Sequence, residues 1–117
     1  MNITVERPTP ERIVATLREG TVETATVSAW HAERAALALV TAIDLAAREG
    51  YGECFWPEPN GQYWWLFKRE ERRLELAILW SSGAVTGWQH VFRPADEVEY
   101  FVERVKDELA AHDLLPG

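Results

Sequence analysis

The chain predicts an α+β fold in which an antiparallel meander of four or more strands is packed on one face by a central and a C-terminal helix. Three features of its 117 residues carry that expectation. Ala32, Ala36, Leu39, Val40, Ile43 and Ala47 recur at helical spacing, and Gly50 stands where that segment must stop. After Gly50 the apolar period changes to two and persists to about Arg93, through four segments separated by short turns. Pro94 then ends the strands, and Val98, Phe101, Val102, Val105 and Leu109 restore a helical period. A chain of this length forms one domain, residues 1–117, around a single core.

The elements follow in order. Ile3 to Val5 is a short extended run. Thr9 as N-cap with Pro10 at the first helical position predicts a short helix whose stripe is Ile13, Val14 and Leu17 and whose end is Gly20. The β-branched run from Thr21 to Val27 favours a strand. Ser28 is expected to cap the central helix, which runs to Glu49. Strands are expected at about Tyr51 to Trp56, Gln62 to Arg69, Arg73 to Ser81 and Val85 to Arg93. Asp96 and Glu99 have the spacing of an N-terminal capping pair for the last helix, which is expected to fray near His112 to Leu115.

Register decides which side chains share a face. With Glu70 and Glu71 as turn residues, Phe67 meets Leu74, Trp65 meets Leu76 and Tyr63 meets Ile78, giving one wholly apolar face that seats the helices. The other face carries Trp64, Leu66 and Lys68 beside Glu75 and Ala77. A two-residue turn at Ser82-Gly83 adds Trp88 opposite Ala77 and His90 opposite Glu75, which makes that face a binding platform. A three-residue turn, Ser82 to Ala84, sends Thr86, Trp88, His90 and Phe92 to the core instead, and the bulk of Trp88 and Phe92 suits this second register slightly better.

Six tryptophans, five of them between positions 56 and 88, make aromatic surface the main resource of the chain. Each indole offers a large apolar area together with one N–H that needs a partner, a combination suited to cores and to interfaces. The net charge is −7, with seven acids against two bases after residue 93. Nucleic-acid backbones are bound through Lys and Arg, so this balance points to a basic protein partner and away from nucleic acid. Glu99, Glu103 and Asp107 fall at helical spacing, which suits either a solvated face or an acidic stripe turned toward a partner. The first residues lack the basic and apolar regions of a secretory signal, and the longest apolar helical stretch is too short to span a bilayer. A cytoplasmic protein with no membrane association is expected. One cysteine, Cys54, suits a reducing compartment.

Catalytic chemistry finds little support. Glu75 beside His90 is the one acid–base pair that register brings together, and neither a nucleophile nor an oxyanion donor accompanies it. His31, His90 and His112 lie on three different elements without metal-ligand spacing, so neither a metal nor a cofactor is expected. No glycine-rich phosphate loop occurs. Three readings follow in order: a binding or regulatory protein acting by protein–protein contact; a small-molecule site or homodimer built on the Trp64 and Trp88 face; and an enzyme using Glu75 and His90.

The run Tyr63-Trp64-Trp65-Leu66-Phe67, with Leu74, Leu76, Ile78-Leu79-Trp80, Gly87-Trp88, Val91-Phe92 and Phe101, resembles small bacterial proteins, some of which serve as immunity proteins for polymorphic toxins. The likeness spans about residues 62–105. It implies function by protein contact and assigns no residue a role.

Overall fold

A computed structural model describes residues 2–19, 22–82, 89–92 and 95–114. In chain order it contains β1 (Asn2–Thr9), β2 (Arg12–Glu19), β3 (Val22–Trp30), α1 (Ala32–Glu49), β4 (Tyr51–Glu58), β5 (Gly61–Glu70), β6 (Arg73–Ser82), β7 (Gln89–Phe92), β8 (Ala95–Glu97) and α2 (Val98–Ala111). The fold is α+β. Its strands form two antiparallel sheets rather than the single meander expected, β1-β2-β3 in one and β4-β5-β6-β7 in the other, with β8 also pairing β6.

The first sheet departs most from the sequence expectation. Residues 12–19, read as a short helix, are β2, and Pro10-Glu11 is the loop of a hairpin in which Thr9 faces Arg12. Ile13 and Leu17 fit both a helical and an alternating period. Pairing with β1 and β3 decides, and it buries Ala15 fully between them while the β-branched Val14 and Thr16 stay half-buried on the opposite face.

Each sheet buries one face, and the two buried faces share one core. Ile3 and Val5, then Ile13, Ala15 and Leu17, then Ala25, Val27 and Ala29 come from the first sheet. Cys54, Trp56, Trp65, Phe67, Leu74, Leu76 and Ile78 come from the second. α1 lies along β4 and α2 along β1, and the Lys106 ammonium meets Asp44 at 3.0 Å between the helices. Alanine-rich α1 approaches β4 so closely that a Cβ on Gly52 would stand 2.0 Å from the Ala42 carbonyl oxygen. Only glycine fits there.

Side chains of α2 seal the open edge of β1. The Val5 N–H donates to Glu108 Oε1 at 2.8 Å, and Arg104 Nη2 donates to the Ile3 carbonyl at 3.3 Å. One helical turn thus supplies an acceptor and a donor where a neighbouring strand would otherwise do so.

The helix ends correct several sequence expectations. Ser28 lies in β3 and caps nothing; α1 instead begins after His31, whose φ of 59° turns the chain, and the Ala32 N–H donates to the Glu11 carbonyl. Gly50 ends α1 as anticipated, at φ 95° with its N–H on Ala46 O. Asp96 belongs to β8 opposite Leu74, and α2 starts after Glu97 without a side-chain cap. The end of α2 is closed rather than frayed. Asp113 takes φ 57° and donates to Ala110 O, and Leu114 is buried with its N–H on Leu109 O, the two bonds of a Schellman motif.

The β5–β6 hairpin turns on Glu71-Arg72, with Glu71 at φ 58° and Glu70 facing Arg73. Phe67 therefore meets Leu76, Trp65 meets Ile78 and Tyr63 meets Trp80, two residues along from the expected register. A slip of two keeps every side chain on its face and changes only its neighbours.

Candidate functional site

With both helices on the buried side, the second sheet presents its other face outward in ordered rows. Tyr51, Lys68 and Glu75 form one row, Glu53, Leu66 and Ala77 the next, and Phe55, Trp64 and Leu79 the third. Tyr51 is 50% exposed and Phe55 43%, high values for large apolar rings. Trp64 and Leu66 are half-buried on this face, as their strand position predicts.

The rings here are held in place. Trp64 stacks on Phe55 with centroids 5.7 Å apart and planes at 15°. Glu53 Oε2 accepts from the Tyr51 hydroxyl at 2.7 Å and from Trp64 Nε1 at 3.1 Å, so one carboxylate fixes two aromatic rims. That bond, with some burial and the carboxylate charge, pushes the Tyr51 hydroxyl up to about 12. Between the first and third rows lies a hollow of about 330 Å³ with Leu66 and Ala77 in its lining, bordered by Tyr51, Trp64, Lys68 and Glu75. Ala77 is too small to fill the space between its larger neighbours.

A second depression, about 560 Å³, lies between α1 and β4. Trp30, Arg34, Leu37, Thr41, Phe55 and Pro57 line it, and Glu53 borders it as well. Phe55 and Glu53 thus stand between the two depressions, and the aromatic surface runs from the sheet face around the β4 edge to α1. At one end Arg12 lies 5.1 Å over the Trp30 ring while its two terminal nitrogens reach both Glu58 oxygens, at 3.2 and 3.0 Å. Ser28 Oγ also donates to Glu58 Oε2, which ties β3 and β2 to the end of β4.

The sequence-predicted site residues are brought together only in part. Trp64, Leu66, Glu75 and Ala77 share the outer face, but with changed neighbours: Ala77 rather than Glu75 lies opposite Leu66, and Leu79 rather than Ala77 lies opposite Trp64. His90 lies opposite Leu79, and Glu75 lies between Lys68 and Ala95, so the expected Glu75–His90 pair is not formed. Four residues of β6 separate the two positions, about 13 Å of strand. Trp88 and the turn after Ser82 lie outside the described residues, so the choice between the two expected turns does too. Glu99, Glu103 and Asp107 are all exposed on α2. Tyr51, Glu53 and Phe55 were missed by the sequence reading. Their alternation with buried Gly52, Cys54 and Trp56 was the available signal.

The other tryptophans divide between core and rim. Trp56 is fully buried and donates Nε1 to Ala35 O at 3.1 Å, whereas Trp65, equally buried, has an Nε1 with no hydrogen-bond partner among the described residues. Tyr63 and Trp80 meet at 4.7 Å, and Trp30 is 40% exposed. Cys54 is buried against the second depression, and desolvation, reinforced by Glu53, pushes its thiol up to about 12. Among the described residues no three His, Cys, Asp or Glu side chains are grouped to hold a metal ion, and no helix is long and apolar enough to cross a membrane.

Comparison with family models, curated proteins and solved structures returns no match to this chain.

Proposed function

We propose that the protein is a small cytoplasmic binding or regulatory protein that acts by protein–protein contact, as an immunity-type protein does, and that the outer face of the second sheet is its docking surface. One observation carries this reading: Tyr51, Phe55, Trp64 and Leu66 are ordered on a face that neither helix covers, with Trp64 clamped by Phe55 and Glu53. Pre-ordered aromatic side chains lose little entropy on binding and supply much of the energy at interface centres. The acid surplus favours a basic partner.

Affinity capture from the native host tests this with three forms of the chain. A protein enriched by wild type should disappear with Trp64→Asp and persist with the α2 variant Glu99→Gln, Glu103→Gln, Asp107→Asn. Persistence with Trp64→Asp would reject the face. Loss with the α2 variant alone would move the contact to the acidic stripe. The same face could instead seal a homodimer or take a flat small molecule, and sedimentation at two concentrations separates these, because only a dimer dissociates on dilution.

A further inference from the structure

The hollow on the outer face is lined by more than apolar surface. Glu75 borders it, exposed, and its carboxylate makes no hydrogen bond or ion pair with any described residue. Its cross-strand neighbour Lys68 is the natural counter-ion, yet the Lys68 ammonium is held by Glu70 at 3.2 Å. A second carboxylate, Glu53, sits where the Tyr51 and Trp64 rims meet, and both rims donate to its Oε2; no described residue donates to Oε1. Negative charge beside aromatic rings suits a cation and repels a phosphate or a carboxylate ligand.

We propose that this hollow receives the guanidinium of an arginine side chain projecting from the partner protein, a reading that rests on the outer face being the docking surface. Charge complementarity selects a cation: on this face Glu53, Glu70 and Glu75 outnumber Lys68 and Arg73, the latter opposite Glu70, in a chain of net charge −7. Shape selects the kind of cation. A guanidinium is planar, stacks on indole and phenol rings, sheds water more readily than an ammonium and offers a fork of donors to a carboxylate. Tyr51 and Trp64 supply the rings, Glu75 the carboxylate beside them, and Leu66 and Ala77 an apolar seat for the methylene stem.

The test uses the full chain and three short capped peptides that differ at one residue: arginine, lysine or citrulline, the last having nearly the shape of arginine without its charge. Binding is followed through the Trp64 indole N–H in nitrogen-resolved NMR spectra, with buried Trp56 as the internal reference. The arginine peptide should shift Trp64 saturably and leave Trp56 unmoved, and it should bind about fivefold or more tighter than the other two. Glu75→Gln should weaken arginine binding by about the same factor and leave the spectrum of the core unchanged. Equal binding of citrulline, or an unaffected Glu75→Gln variant, overturns the proposal, and equal binding of lysine overturns the guanidinium assignment. Capture from the host separates this inference from the reading beneath it. If Trp64→Asp loses the partner while Glu75→Gln retains it at wild-type level, the face stands and the arginine falls; if both variants retain it, the face falls as well.

Discussion

The indole N–H of Trp64 donates to the Glu53 carboxylate at 3.1 Å across two neighbouring strands, and the Tyr51 hydroxyl donates to the same oxygen. The carboxylate holds the phenol in its protonated form, raising its pKa from 10.0 to about 12. In a titration of tyrosinate absorbance, one of the three tyrosines should therefore ionise near 12. Glu53→Gln removes both the charge and the strongest acceptor, so that step should move down toward 10. An unchanged late step would show that the clamp does not form.

Gly52 sits against the α1 backbone, where an added Cβ would lie 2.0 Å from Ala42 O and 2.9 Å from its carbon. Neither atom is the end of a flexible side chain, so helix and strand must move apart. Gly52→Ala should lower the unfolding free energy by about 3 kcal/mol, measured by urea titration. A loss below about 0.5 kcal/mol would mean that α1 does not pack on β4 this closely.

The two buried indoles differ in one hydrogen bond. Trp56 Nε1 is satisfied by Ala35 O, and Trp65 Nε1 is not. Replacement by Phe removes a similar volume at both positions, but only Trp56→Phe also removes a bond, while Trp65→Phe relieves an unmet donor. Trp56→Phe should be the more costly substitution by about 1 kcal/mol or more in chemical denaturation, and the reverse order would refute the assignment.

Alkaline stability should follow Cys54. Its folded-state pKa, about 12, lies above the ordinary 9.0 because burial disfavours the thiolate. Between these values the unfolded chain releases a proton that the folded chain keeps. Stability is thus fully present below pH 9 and declines as pH rises toward 12. Tyr51 and Tyr63, both raised, act in the same direction. Cys54→Ala should flatten the decline, and the native thiol should react with a disulfide reagent at pH 8 far more slowly than the thiol of the unfolded chain.

Sealing of the β1 edge gives a further expectation. Glu108→Ala leaves the Val5 N–H without its acceptor and should cost about 1–2 kcal/mol in thermal or chemical unfolding. Glu103→Ala, exposed on the same helix, should cost less than about 0.5 kcal/mol. Equal effects would mean that Glu108 serves only as surface charge.

Much of the second half of the chain was legible because its signals agree. Trp65, Phe67, Leu76 and Ile78 alternate cleanly, and the faces survived even where the turn was misplaced by one residue, since the resulting slip was two. The hairpin turn itself lacks glycine. Glu71 adopts φ 58° without the residue type that usually announces it, and for this reason Glu70-Glu71 looked equally good. In residues 12–19 the spacing of Ile13 and Leu17 fits two periods, and only the partner strands decide between them.

Of the candidate site, the alternation along β5 and β6 makes one thing legible: Trp64, Leu66, Glu75 and Ala77 share one face of the second sheet. The Glu75–His90 pairing failed because it depended on counting through a turn: His90 lies opposite Leu79, already four residues of β6 from Glu75 before the irregularity between Leu79 and Ile78 is reached. Tyr51, Glu53 and Phe55 alternate with buried residues as any half-buried strand does. Their significance depends on β4 lying beside β5, a tertiary fact that no local pattern contains.

Hydrogen–deuterium exchange on the chain with its captured partner tests the central claim most directly. Residues 51–55, 64–68 and 75–79 should gain protection in the complex, with α2 between residues 99 and 107 unchanged. Protection confined to α2, with those three strand segments exchanging as in the free chain, would contradict a docking surface on the outer face.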